Sequence, residues 1–408
     1  MTDGHDYIYY FTEQNTFGKT KIHRLEDLSN SSISKNELGR IAIVGAGPGG
    51  LTLARILQLH GIDVKVYERE SFIDARSQGG TLDLHVESGQ YALQIGDLFE
   101  KFQILCRPEG QDVRIVDKSD TIHYEEISHE LNFDRPEINR RDLRQLLLES
   151  LKPDTIAQGY NLKSVHLMNN GQHTLVFDNG VTDVADLVIG ADGARSCIRS
   201  VVSTAIPQYC GVTIVEIQFT DVDDRHPEIA KLVGRGTIFA LSDNNGLIGQ
   251  RNGQNQIRIA FDQPEQARKD LFQLLADWDN SLLNFIHFCD ANFIPRPLYT
   301  LPINHRWETH QGVTLLGDAA HLMSPFAGEG VNLAMLDATE LAIAITNADD
   351  LKQAIHNYEQ KTFLRAAKAA DESSSNLGLL ISTGNAAKIA AEFFKKLMEG
   401  GPPKNTEI

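Results

Sequence analysis

The 408-residue sequence predicts an α/β fold: a largely parallel sheet with its helices, interleaved with a smaller, mainly antiparallel β substrate domain and followed by C-terminal helices. Three observations predict it. Short continuous apolar runs at Ile41–Val44, 187–189 and 313–316 each end on a turn carrying glycine or aspartate, as strands buried on both faces do. Helical periodicity follows the first and third runs. Between the second and third, the pattern changes to extended segments separated by the hairpin signals Asn244-Asn245-Gly246 and Asn252-Gly253.

The first run ends on Gly45-Ala46-Gly47-Pro48-Gly49-Gly50. Gly45 permits a tight turn, Gly47 lets the backbone approach a pyrophosphate, and Gly50 lets the next helix, expected over 51–60, sit close to the sheet. That helix turns its free N–H groups and positive dipole end toward the phosphates. Gly61 ends it, and a second strand over 63–67 carries Glu68 at its tip, with Arg69 next. A carboxylate there accepts hydrogen bonds from both hydroxyls of a ribose lacking a 2′-phosphate. Strand, glycine turn, helix and acid together read as a Rossmann-like dinucleotide site.

The third run supplies what a nicotinamide dehydrogenase does not need. It ends on Gly317-Asp318, placing Asp318 at the ribityl or pyrophosphate region of a flavin. After a loop with Pro325 and Gly328, residues 330–347 show helical periodicity through Leu333, Leu336, Leu341 and Ile345. The first N–H groups, at Gly330, Val331 and Asn332, are then expected to face the flavin ring, where a positive helix end stabilises reduced flavin. The second run leads into Asp192-Gly193, with Arg195 and Arg199 beyond as cations for nicotinamide dinucleotide phosphates; a plain strand-to-helix turn with solvated arginines is the alternative.

These three segments match the signatures of the class A flavoprotein monooxygenases, the para-hydroxybenzoate hydroxylase-like family, and the resemblance spans about residues 40–371. The longer strings Gly79-Gly80-Thr81-Leu82-Asp83-Leu84-His85, Pro136-Glu137-Ile138-Asn139-Arg140-Arg141-Asp142-Leu143-Arg144 and 321–328 resemble its tetracycline-inactivating members. Asp192, absent from those members, follows the broader hydroxylase pattern. The resemblance implies that Glu68, Asp83, Arg140 and Asp318 bind FAD, that residues 328–331 line its ring, and that Arg76 occupies the position associated with NADPH. A guanidinium at Arg140 suits bidentate bonding to pyrophosphate, with a surface ion pair to Glu137 or Asp142 as the alternative, while Arg144, one helical turn on, reads as a supporting ion-pair partner. Gln218 and Arg258, on expected strands over 212–222 and 256–261, align with substrate contacts; polar positions on a solvated sheet face are the alternative.

The expected organisation is an N-terminal extension over 1–39, read as a mobile tail, and an FAD-binding domain from 40–205 and 296–345. Residues 76–135 contribute partly to the substrate lobe, which is otherwise 206–295, and the resemblance implies that helices over 346–408 bridge the lobes. The sequence shows no nucleophile elbow, metal-ligand spacing or reactive-cysteine motif, and His321 is read as holding the flavin loop without an acid–base partner. No catalytic side chain is therefore expected, and the flavin carries the chemistry. By resemblance, NADPH reduces FAD, and a C4a-hydroperoxyflavin formed with O₂ delivers oxygen to an electron-rich polycycle. A tetracycline-type antibiotic is the first expectation; phenol, quinolone or polyketide hydroxylation is second, and a flavin-dependent reductase third. A halogenase is disfavoured because Trp278 and Trp307 are isolated and no Trp-x-Trp-x-Ile-Pro segment occurs.

A formal net charge of −17 disfavours a nucleic-acid partner. Cys106, Cys197, Cys210 and Cys289 show neither disulfide nor metal spacing, and no apolar run reaches membrane-span length. A cytoplasmic monomer that binds only small molecules is expected.

Overall fold

The computed structural model describes residues 38–72, 80–128, 133–242, 245–253, 256–260, 264–290, 294–380 and 385–398. Arg76, Asn244, most of the expected N-terminal extension and the end beyond 398 lie outside the described residues.

The central sheet has five parallel strands in the order Val313–Leu315, Leu187–Gly190, Ile41–Val44, Val64–Glu68 and Ile156–Gln158. The first three are buried along their whole length, which explains their unbroken apolar runs. Register decides where function collects: Val44 pairs with Tyr67 and Gly190, and Gly190 with Leu315. The Gly45 turn, Glu68, the Asp192 turn and Gly317 consequently leave the sheet at one edge, beyond the carboxyl ends of its strands, where open α/β sheets bind ligands.

Helices Pro48–Leu59 and Gly330–Thr346 pack together over this sheet through a core containing Leu51, Leu57, Met335 and Leu341. Their close contact depends on Gly49: a Cβ there would lie 2.7 Å from Leu316 Cδ1 and 2.9 Å from the Ala334 carbonyl oxygen. Gly50 has a different job from Gly49, since its Cβ would meet the Gly45 carbonyl oxygen at 2.1 Å. Gly50 thus seats the helix on the turn and sheet end, while Gly49 admits the second helix. Gly45 itself has φ +110°, a conformation that L side chains rarely adopt.

A seven-stranded sheet forms the second lobe, in the order Ile294–Thr300, Gln208–Phe219, Gln256–Ala260, Asn245–Asn252, Thr237–Ser242, Val113–Val116 and Ile122–Glu126. Its pairs are antiparallel except Thr237–Ser242 with Val113–Val116. The extended segment expected over 212–222 stops at Phe219, and fully buried Val222 opens the short helix Val222–Arg225. Ile217, Phe219 and Ile238 pack with Leu282 and Phe285 of helix Asn280–Phe288. Two small sheets complete the fold: the pair Thr81–Asp83 and Glu137–Asn139, and the antiparallel trio Leu162–Leu167, His173–Phe177 and Thr182–Ala185.

The 30-residue helix Leu351–Leu380 lies against helix Gly330–Thr346 and the turn Pro325–Ala327, where Asn376 Nδ2 donates to the Phe326 carbonyl at 3.0 Å. Helix Ala386–Met398 instead packs on the seven-stranded sheet, burying Ala386, Ala387, Ala390 and Ala391 against Ile115 and Leu241. The C-terminal helices thereby touch both lobes. Among the described residues no helix is long and apolar enough to cross a membrane.

Candidate functional site

At the end expected to hold adenosine, buried Glu68 stands at the tip of its strand. Its Oε2 accepts the Ala46 N–H at 2.8 Å and its Oε1 the Glu70 N–H at 3.0 Å, so the carboxylate fixes the glycine turn while retaining acceptor capacity on both oxygens. Gly47 precedes Pro48 at the helix start, and among the described residues no side chain caps that helix. A Cβ on Gly47 would meet nothing within 4 Å. Arg144, 6% exposed, donates to the Ala46 carbonyl at 3.3 Å and lies 3.4 Å from Glu70, which is the supporting position read from the sequence. Arg69 is exposed. Arg140 opens helix Arg140–Glu149, and its backbone N–H donates to Gly80.

At the opposite end, two remote segments meet. Asp83 approaches Gly328 so closely that a Cβ there would lie 3.3 Å from Asp83 Oδ2, and φ +69° at Gly328 independently favours glycine. Asn332 is fully buried: its Nδ2 donates to the carbonyls of Asp83 and Gly328, and its Oδ1 accepts from the His85 N–H at 3.0 Å. The Asn332 side chain therefore staples the loop, leaving only its backbone N–H to face a ring. Glu329, Gly330 and Val331 are partly exposed at the helix start, and a Cβ on Gly330 would meet nothing within 4 Å. Pro325 is exposed at the head of the preceding turn.

Asp318 presents its side chain to solvent at the end of the third strand. His321, Arg140 and Arg199 bring positive charge to its carboxyl. Those cations place Asp318 in an electropositive corner that suits a polyanionic ligand. His321 requires a correction. The sequence reading gave it no acid–base partner, yet Nε2 lies 2.6 Å from Oδ2 of fully buried Asp337, whose Oδ1 receives Arg365 at 2.8 Å. Burial alone favours a neutral ring, but the Asp337 charge prevails and raises the His321 value; Asp337 is lowered to about 2 by His321 and Arg365 despite its burial. Asp337 also accepts the Gly317 N–H at 3.0 Å, so this network holds the third segment.

Arg199 also departs from expectation. It is 3% exposed and donates to the carbonyls of Ala194, Asp318 and Ala319, locking the second segment to the third; it is no solvated cation. Asp192 caps the turn beyond it, with Oδ2 accepting from the backbone N–H groups of Cys197 and Ile198. A Cβ on Gly193, at φ +77°, would meet nothing within 4 Å. Arg195 is exposed and lines a cleft of about 660 Å³ with Ser200, Ser203, Thr204, Ile206 and Tyr299.

In the second lobe, Gln218, Arg258 and Gln250 are register partners in one cross-strand row. Gln250 Nε2 reaches Glu137 Oε1 at 3.4 Å, and Glu137 is the register partner of Asp83. The row therefore runs into the strand pair that carries Asp83. Nearby, Thr81 N–H donates to Asn252 Oδ1 at 2.9 Å and Gly253 N–H to Asn139 Oδ1 at 3.0 Å, closing a polar seam between the lobes. Glu137 is 7% exposed; burial and the Asp83 charge push it up to about 7, opposed by Thr81, Arg107 and Gln250. From the sequence, Glu137 stands only as an alternative surface ion-pair partner of Arg140, and His85 has no role.

The donor set fits FAD: a ribose-compatible carboxylate, two glycine-faced helix starts at opposite ends of one sheet edge, and cations between them. The fold and this edge define a flavoprotein monooxygenase. The chain belongs to the FAD binding domain family, which it matches over residues 40–86 and 169–373. It is 29% identical to the monooxygenase penA of Penicillium thymicola, over 86% of this chain and 97% of that protein. Among solved structures, Klebsiella pneumoniae HpxO complexed with FAD and uric acid superposes with a TM-score of 0.73 at 19% identity, covering 88% of this chain and 93% of that one. Tetracycline destructase Tet(55) gives 0.69 at 20% identity, covering 88% and 95%. The first of these three supports the class, and the other two the fold.

Proposed function

We propose that this monooxygenase uses NADPH and O₂ to hydroxylate an electron-rich aromatic or enolic polycycle, with a tetracycline-type compound as the first substrate class. FAD, when bound, supplies the electron transfer and oxygen activation. The chain's own residues bind, orient and shield. Glu68 and the start of helix Pro48–Leu59 would hold the adenosine and pyrophosphate; Asp83, Arg140 and Asp318 would hold the middle of the cofactor. The start of helix Gly330–Thr346 would stabilise negative charge at the ring. One observation carries the substrate side: the row Gln218, Arg258 and Gln250 ends on Glu137, beside Asp83. Polar groups on that row would orient hydroxyls of a polycycle, while the seam limits water entry. Arg195, exposed at a cleft that also carries Ser200, Ser203 and Thr204, would meet the phosphates of NADPH.

Hydroxylation of a phenol or quinolone is the second reading; its phenolic arm is favoured by the 27% identity to 3-amino-4-hydroxybenzoate 2-monooxygenase PtnB3 of Streptomyces platensis, over 79% of this chain and 83% of that protein. The two separate in one experiment. Purified FAD-loaded protein is given NADPH with a panel of tetracyclines, phenols and quinolones, and product mass is measured. A tetracycline product heavier by one oxygen atom supports the first reading. Peroxide release with every tetracycline, together with an oxygenated phenol or quinolone, replaces it with the second.

A further inference from the structure

His85 is a titratable side chain, 2% exposed, that the proposed function leaves unused. It lies two residues beyond Asp83. Its backbone is pinned by the N–H bond to Asn332 and by a carbonyl that accepts from Ser88 and Gln90 in the turn Val86–Gln90. The ring is held between two chains remote in sequence: Nε2 lies 2.9 Å from Asp83 Oδ2, and Nδ1 lies 3.5 Å from Glu329 Oε1. Glu329 immediately precedes helix Gly330–Thr346, and Gly328 packs on the same Asp83 carboxylate. Two carboxylates converging on one enclosed ring repel each other unless the ring is positive. The other groups fixing this loop, Asn332 and Ser88, are neutral; one further carboxyl, Glu137, faces Asp83 across the strand pair and is common to wild type and the variants below.

We infer that His85 is a positioning residue: as an imidazolium clamped between Asp83 and Glu329, it sets the turn that opens helix Gly330–Thr346 and thereby the affinity for FAD. The inference rests on FAD occupying this edge. Burial alone favours the neutral ring, but the Asp83 hydrogen bond and the charges of Asp83 and Glu329 outweigh it and push His85 up to about 9. The sign follows from a folded-state value above the unfolded one near 6.5: the clamp's contribution is complete below about 6.5 and is lost as pH rises through about 9.

The test compares wild-type protein with His85→Gln, which keeps an N–H donor for Asp83 but carries no charge, and with Glu329→Gln, which removes one anionic partner. FAD affinity is titrated by flavin fluorescence from pH 6 to pH 10, and FAD-free protein is unfolded with denaturant over the same range. At pH 7, His85→Gln is expected to bind FAD about tenfold more weakly, as loss of a charge-assisted contact implies, with the difference vanishing above about pH 9. The stability advantage of FAD-free wild type over His85→Gln should decline between about pH 6.5 and 9. Glu329→Gln should move the pH midpoint of wild-type affinity loss downward, a readout that stands even if His85→Gln does not fold. Equal FAD affinity and equal pH profiles for wild type and His85→Gln overturn the positioning role while leaving the flavin site intact. Wild-type protein that takes up no FAD at any pH overturns both.

Discussion

Glu137 and Asp83 face each other across a strand pair only three residues long, and just one of these carboxyls is deeply buried. Because the folded value of Glu137 is about 7, against an ordinary 4.5, ionising it costs about 3 kcal/mol more in the folded protein than in the unfolded chain. Stability gained from the protonated carboxyl is complete below about pH 4.5 and disappears as pH rises through 7. Glu137→Gln should therefore gain on wild type between pH 5 and pH 8 in denaturant titrations; parallel pH profiles would disprove the buried charge. Asp318→Ala should purify colourless and bind FAD at least about tenfold more weakly, and full stoichiometric flavin in that variant would mean the third segment was misassigned. Glu68 and Asp318 were legible because each sits at the end of an apolar strand, a local pattern. His85, Glu137 and Asp337 were not, since their roles depend on partners brought in from other segments and no spacing along the chain records such partners.

Helix Gly330–Thr346 shows why an element can be legible while its fastening is not. Its apolar periodicity is visible in the sequence, but buried Asp337 reads there as an ordinary helical acid. In the fold Asp337 joins His321, Arg365 and the Gly317 N–H. Replacing it with Asn leaves Arg365 and His321 facing a neutral group, and unfolding free energy should drop by about 3–5 kcal/mol in a denaturant titration. A loss under 1 kcal/mol would show the network to be inert. Gly49→Val tests the neighbouring contact, because a side chain would collide with Leu316 and the Ala334 carbonyl. Helix separation should cost about 1–3 kcal/mol and weaken FAD binding, whereas unchanged affinity would remove Gly49 from the cofactor argument. The trio of strands within 162–185 escaped the sequence reading for a different reason: Leu162–Leu167 and Thr182–Ala185 are largely half-exposed or exposed and lack a continuous apolar run.

Across the whole molecule, the return of α/β periodicity after the antiparallel segment made the interleaving of lobes legible; the bridging by the C-terminal helices was expected from the family resemblance, but the residues that anchor them were not legible. Helix Leu351–Leu380 is anchored to the cofactor lobe through Tyr358, whose hydroxyl donates to the Leu315 carbonyl, and through Arg365. Helix Ala386–Met398 then reaches the seven-stranded sheet, with the Phe394 ring 5.7 Å from Phe239 and 6.3 Å from Tyr124. The second anchor packs chiefly on the seven-stranded sheet. Phe394→Ala should cost about 2 kcal/mol, less than a fully buried phenylalanine because the ring is only half-buried. The loss should concentrate in faster amide exchange at Val113–Val116 and Thr237–Ser242, while FAD affinity stays at the wild-type value. If FAD affinity instead falls in step with strand protection, the two lobes unfold as one cooperative unit, and the helix is a fastening for the cofactor as well as for the sheet.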